Sequence, residues 1–370
     1  MIRTNEWVSP QRDAEPRSVR RAGGQRWENL PPVLYALSFP RWKWPHVRRC
    51  FPDKKIHFIS RPVAGMASGA LLLWGTKTVS EGLPSDVSVV RMEDGFLRSV
   101  GLGAELAQPL SWVVDTRGIY YDATRPSDLE HILQHTDFSA SCVARARALR
   151  HRIVDAGITK YNVGHHRQWW RPSGAQRIIL VPGQVETDAS ILYGSPRIRR
   201  NMDLLRQVRE ENPEAYIVYK PHPDVVARLR IRGENEDQAD RWCNEIITDI
   251  AMEMLLKAVD EVHVLTSLAG FEALLREKPV TCYGQPFYSG WGLTQDKIPH
   301  PRRHRRLTLD QLVAGTLLHY PLYLGRGRMG RVSPEEVLMD LTAWKRKKGD
   351  YAPFWQGAYR FLLRRFIGVR

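Results

Sequence analysis

An α/β chain of two Rossmann-like units facing a cleft is the fold that the sequence predicts, and three observations predict it. Short apolar runs alternate with helical text in two blocks of similar size. A polar, aromatic stretch with a proline, residues 161–173, separates the blocks. Polar clusters stand directly after the apolar runs, where the loops of a parallel sheet gather a ligand.

Residues 1–30 carry Pro, Gly and charge without periodicity and read as a mobile leader with no secretory h-region. The first unit, 31–165, begins with strand text at Val33 and continues through apolar runs at 55–59, 69–75, 87–91 and 110–115. An Ala-, Arg- and Leu-rich stretch from Ser127 to about Ala156 predicts one long helix. In the second unit, 166–300, strand runs at 178–181, 215–219, 261–265 and 279–283 alternate with helical text. Residues 301–370 read as a basic helical tail. Its run Lys345 to Lys348 precedes Trp355, Tyr359, Leu362, Leu363 and Phe366 at helical spacing, an amphipathic cationic pattern suited to an anionic lipid surface or to packing on the domains.

The 370 residues suit two medium domains, and a 43% apolar content is enough for ordinary cores. A formal net charge of +15 calls for an anionic partner, and nucleic acid, an acidic membrane and an anionic substrate all qualify. The basic residues gather toward the two ends instead of interleaving with stacking aromatics, which argues against nucleic acid. Cys50, Cys142, Cys243 and Cys282 are far apart and form no CxxC, so a reducing cytoplasm fits better than a disulfide framework or zinc site. Apolar runs such as 70–74 fall far short of the roughly 20 residues that span a bilayer.

Three clusters in the second unit carry the chemistry. In Val-Pro-Gly-Gln-Val-Glu-Thr-Asp (181–188), Gln184, Glu186 and Asp188 follow a buried strand, and a carboxylate there can act on an anomeric carbon. In Tyr-Lys-Pro-His-Pro-Asp (219–224), Pro221 and Pro223 stiffen the turn around His222, and Lys220 with His222 reads as a cationic element for a phosphate; an ordinary turn with an exposed His is the alternative. Thr266 or Ser267 caps a helix whose free N–H groups attract an anion, with Gly270 allowing another backbone to approach and Glu272 one turn on.

The first unit adds Arg-Met-Glu-Asp-Gly-Phe-Leu-Arg-Ser (91–99). Glu93 and Asp94 are acid/base candidates, and Arg98 suits a carboxylate clamp. Asp115, Arg117, Tyr120, Tyr121 and Asp122 form either a further site segment or a salt-bridged turn with aromatic packing. The Gly/aromatic stretch 284–293 either stacks a ring or closes its domain. His165, His166, His300 and His304 lie among arginines without a carboxylate set and read as surface residues, so no metal is expected.

These strings resemble the capsule-polysaccharide proteins of the KpsC/LipB type, particularly the C-terminal module of KpsC. The likeness runs over about residues 70–340 and rests on 93–103, 115–130, 160–162, 181–191, 216–224, 266–275 and 283–294. It implies a retaining β-Kdo glycosyltransferase of GT-B-like architecture, with an acceptor-side first unit and a CMP-Kdo donor-side second unit. The Asp matching Asp188 is then the nucleophile, the pair matching His222 and Pro223 holds the CMP phosphate, and Glu93 or Asp94 serves as acid/base. Arg98, Gln184, Lys220, Thr266, Ser267, Gly270 and Glu272 complete the expected substrate site.

The resemblance also implies a lipid-linked Kdo acceptor, an enzyme peripheral on the cytoplasmic face of the inner membrane, and no cofactor. KpsC carries two modules that make different linkages and one module is matched here, so a second Kdo transferase is a possible partner. A sialyltransferase-like CMP-sugar transferase and a non-catalytic capsule assembly or export component are the rival readings. The joint presence of the carboxylates and the His-Pro turn argues against the latter.

Overall fold

The computed structural model describes residues 29–61, 66, 69–77, 87–102, 107–328 and 330–348. The amphipathic pattern from Trp355 to Phe366 and the leader 1–28 lie outside the described residues. Two six-stranded sheets form the frame. The elements of the first unit are β1 (Val33–Leu37), α1 (Trp44–Cys50), β2 (Lys55–Ile59), β3 (Ala70–Trp74), β4 (Ser88–Asp94), β5 (Ser111–Asp115), α2 (Asp128–His135) and α3 (Ala140–Asp155). Those of the second are β6 (Ile178–Pro182), α4 (Ala189–Gly194), α5 (Asn201–Glu211), β7 (Tyr216–Lys220), α6 (Pro223–Val226), β8 (Glu245–Ile246), α7 (Met252–Ala258), β9 (Glu261–Val264), α8 (Leu268–Leu275), β10 (Val280–Cys282) and β11 (Gln295–Asp296). Then come α9 (Leu309–Val313), a π-helical turn over Ala314–His319, β12 (Pro321–Tyr323) and α10 (Pro334–Lys348).

The second sheet, ordered β11-β10-β9-β6-β7-β8, is wholly parallel. Its central strand β6 is buried at every residue, as a strand covered on both faces must be. The first sheet, β12-β5-β4-β3-β1-β2, is mixed: β1 to β4 run parallel, and β5 pairs antiparallel with both β4 and β12. The edge strand β2 shows Lys55 and His57 to solvent.

Two expectations change. The single helix over 127–156 is two, because Ser127 and Ser139 each cap a separate helix, accepting from Glu130 N and Cys142 N. The expected 301–370 tail is not one appendage either. Its described part returns to the first unit, where β12 adds an edge to the sheet and Leu322 and Leu324 enter the core with Trp112. The physical cause is a buried acid: Asp310 accepts from Arg147 at 2.7 Å and from Arg150 at 3.0 Å, both on α3. Lys345 joins this frame, donating to Gly157 O at 2.7 Å and to Glu253 at 2.9 Å, so it is a structural bridge and not part of a lipid-facing run. One continuous core links the sheets, with Phe96, Val113 and Ile119 of the first packed through α2, α3 and α8 onto Val218, Val262 and Phe271 of the second.

Candidate active site

The loops after β6, β7 and β9 meet at one edge of the second sheet, because parallel neighbours bring their carboxyl ends together. A reciprocal amide pair fixes two of them: Gln184 donates to Thr266 Oγ1 at 3.0 Å and accepts from Thr266 N at 2.9 Å. Asn201 holds the same glutamine by its main chain from below. Gln184 and Thr266 are therefore spent on each other and set loop geometry. Asp188, at the exposed end of that loop, is the N-cap of α4 and accepts from Ser190 N at 2.9 Å. Glu186 turns the other way, its two oxygens accepting from Asn201 N at 2.8 Å and Glu234 N at 3.0 Å. Of the two acids, Asp188 is the one whose charge reaches His222, Tyr120 and Tyr121.

His222 caps α6 with Nδ1 accepting from Asp224 N at 3.1 Å, which leaves the ring proton on Nε2. Burial pushes its pKa down to about 4 against the pull of Asp188, and Lys160 and Arg230 push it the same way. It is a neutral donor. Lys220 is buried, its pKa lowered by desolvation to about 8, and its ammonium donates to Ile250 O at 2.7 Å, beneath the site. The Lys-Pro-His-Pro turn is thus not the cationic element expected of it; burial removes one charge and ties the other to a carbonyl.

Across the cleft, β4 ends in Glu93 and Asp94, and their environments push them apart. Desolvation, then the neighbouring Asp94 charge, raises Glu93 to about 7. Asp94 is desolvated too, but Arg98, bonded to it through Nε, and Lys43 outweigh that and hold it below the usual range. Arg98 is almost wholly buried, with Nη1 donating to Ser99 Oγ at 2.8 Å, so it clamps Asp94 and not a substrate. Lys43, to which no sequence signal pointed, sits 2.7 Å from the Trp74 ring centroid, with Trp42 and Trp112 nearby. Desolvation lowers it to about 8 while Asp94 and Glu93 pull it upward.

Lys160 closes the arrangement. Burial disfavours its charge, yet Tyr161, Tyr120, Asp94 and Glu93 together hold it protonated, and its field reaches His222. Its backbone is stapled to both units: Lys160 N donates to Glu272 Oε1 at 2.7 Å, Lys160 O accepts from Ser99 N at 3.2 Å, and Asn162 Nδ2 donates to Ser99 O at 2.9 Å. Tyr120 and Tyr121 are half-buried and feel both Glu93 and Asp188. Lys160 and Tyr161 stand in the Lys-Tyr-Asn string, but only the fold gives that cation a place.

Other expected residues have structural work. Glu272 serves the Lys160 turn, and its carboxyl is raised by burial. Ser267 caps α8 through Ala269 N at 3.3 Å. Gly270 admits the Tyr288 hydroxyl, a side chain and not a backbone. Asp115 is a buried turn hub, accepting from Gly118 N at 2.7 Å and from the Tyr320 hydroxyl at 2.8 Å. Phe287, Tyr288 and Trp291 are buried, so the 284–293 stretch closes its domain. His300 is not a free surface residue: it is bonded to Ser289 Oγ at 2.7 Å, and burial, with Arg303 and Arg302, lowers it to about 3.

Comparison with known proteins agrees with this frame. Residues 79–172 and 170–323 match the family described as "Capsule polysaccharide biosynthesis protein". The capsule polysaccharide modification protein LipA of Neisseria meningitidis serogroup B is 48% identical over 307 residues, 80% of this chain and 44% of LipA. The lipopolysaccharide-processing protein LpsZ of Rhizobium meliloti is 37% identical over 341 residues, 87% of this chain and 78% of LpsZ. Two solved structures from Thermosulfurimonas dismutans are similar. The KpsC β-Kdo 2,7 transferase is 41% identical with a TM-score of 0.69, over 85% of this chain and 99% of that one. The KpsC β-Kdo 2,4 transferase is 31% identical with a TM-score of 0.74, over 83% and 97%. The chain spans a little under half the length of the LipA relatives. Among the described residues, no helix is long and apolar enough to cross a membrane. Two linked α/β sheets, polar loops converging at their edges and this span of matched sequence lead to one conclusion: the chain belongs to the capsule polysaccharide biosynthesis family of KpsC/LipB type.

Proposed function

We propose that the protein is a retaining β-Kdo transferase that moves Kdo from CMP-Kdo onto a Kdo-terminated glycolipid in capsule assembly. The observation that carries this reading is the pair of Asp188, exposed at the end of the loop after β6, and Glu93, raised to about 7 at the end of β4, both within reach of Tyr120 and Tyr121. The two structural relatives, both Kdo transferases, supply the sugar. In the first step an Asp188 oxygen bonds to the anomeric carbon as the carbon–phosphate oxygen bond breaks, CMP leaving with the electron pair. His222 Nε2–H and the Lys160 ammonium bind the phosphate and the Kdo carboxylate. In the second step the acceptor hydroxyl attacks that carbon, its proton passes to Glu93, and Asp188 leaves as a carboxylate. Two inversions give retention.

No step here calls on a metal, since CMP is already a good leaving group; transfer is expected to continue in excess chelator. The linkage is left to the product, because identity favours the 2,7 relative while the superposition favours the 2,4 relative. The deciding experiment incubates the enzyme with CMP-Kdo and a soluble Kdo-terminated acceptor, with the linkage read by NMR, and without acceptor for mass spectrometry. A Kdo-sized gain on the peptide holding Asp188, and no transfer by Asp188→Ala, are the expected results. Full transfer by that variant sinks the assignment. An adduct on Glu93 moves the nucleophile. CMP-sialic acid used in place of CMP-Kdo would make the protein another CMP-sugar transferase.

A further inference from the structure

The rim of the second sheet beside Asp188 and His222 carries large apolar side chains in water. Ile231 is 84% exposed, Leu192 51% and Val226 43%. Single exposed apolar residues are ordinary, but these three belong to one neighbourhood. β6 and β7 are paired in register with Pro182 opposite Lys220, so α4, which carries Leu192, and α6, which ends in Val226, start side by side. The 228–235 loop bearing Ile231 is tied to the same place, since Glu234 N donates to Glu186 and the Glu234 carboxylate pairs with Arg200 at 2.8 Å. Exposed Arg197, Arg230 and Arg232 belong to the same chain segments. Glu186 and Glu234 are engaged within the loops, and the exposed Asp188, Asp237 and Asp240 are outnumbered by these arginines together with exposed Arg199 and Arg228, so the outward balance is positive.

We infer that this rim docks on an anionic phospholipid surface, its apolar residues entering the headgroup layer and its arginines pairing with lipid phosphates. The charge complementarity selects that occupant. The inference rests on the transferase reading for its purpose: a rim on the bilayer turns the Asp188 mouth toward a lipid-linked acceptor.

The full chain is tested by co-sedimentation with phosphatidylglycerol/phosphatidylcholine vesicles and with phosphatidylcholine vesicles alone. Binding is expected only to the anionic vesicles. The triple variant Ile231→Asp, Arg197→Ser, Arg232→Ser should bind them at least tenfold more weakly, each arginine removed costing roughly fivefold. Its transfer onto a soluble acceptor should stay within about twofold of the parent. Parent-like vesicle binding by the triple variant overturns the proposal, and loss of binding only on deleting residues 349–370 hands the anchor to that segment. Self-association abolished by the variant, with no vesicle binding by either protein, reassigns the rim to a second copy. Absence of transfer to the soluble acceptor by the parent would count against the Kdo reading alone.

Discussion

At neutral pH Glu93 stands near half protonation beside an Asp94 that Arg98 and Lys43 keep ionised. Two adjacent acids pushed in opposite directions suit the proposed division between an acid/base, Glu93, and a fixed charge, Asp94. As a base Glu93 must be deprotonated, so transfer should rise with pH through an ascending limb near pH 7. Glu93→Gln should abolish that limb together with most of the rate. Lys43 holds the Glu93 pKa down. Lys43→Met should therefore move the limb to higher pH, a displacement that a merely structural lysine would not cause. On the proposed reading His222→Ala removes one hydrogen bond to a charged phosphate, about 1.5–3 kcal/mol, so CMP affinity read by calorimetry should fall roughly ten- to hundredfold. CMP bound by the variant as tightly as by the parent would make the turn purely structural. Lys160→Met should weaken CMP-Kdo binding and flatten its salt dependence.

Elements set those residues through caps and close approaches. The loop holding Asp188 is rigid because Gln184 and Asn201 lock it from two sides. Glu186→Ala should loosen the loop and the Glu234 contact, yet keep most of the activity, since both its oxygens are engaged by main-chain N–H groups. At α8, a methyl on Gly270 runs into the Tyr288 ring and hydroxyl. Gly270→Ala should cost about 1–3 kcal/mol in denaturant unfolding, the range for overpacking a core. Unchanged stability would mean that Tyr288 yields freely.

For the whole molecule, the return of the chain after residue 300 completes the first unit. β12, the Tyr320 bond to Asp115 and the Asp310 pairs with α3 are all lost if the chain stops at 300. A fragment of residues 1–300 should show no cooperative unfolding, whereas one ending at 348 should unfold as the full chain does. Circular dichroism on melting checks both. A cooperative melt of the shorter fragment would show that the return is dispensable.

Strand runs and polar strand exits were legible because buried parallel strands must be apolar and their loops must carry the chemistry, and Asp188, His222 and Glu93 all stood in such text. Spacing did not foretell that Glu186 turns from Asp188: residues two apart on an extended loop share a face, and it is Asn201 N and Glu234 N that draw the Glu186 oxygens away. Charge was not legible. Lys220 and Arg98 look like ligand cations in the text, but the fold buries them against Ile250 O and Asp94, while Lys160 stood in a matched string without an assigned role and Lys43 in a segment that no motif marked. Where β12 docks was equally closed to reading, because a three-residue edge strand has no periodicity of its own. The sequence by itself determined the α/β class, the family and which residue types gather at the strand exits. Tertiary structure decided which charges survive and which acid is raised, because both depend on desolvation and on neighbours distant in the chain.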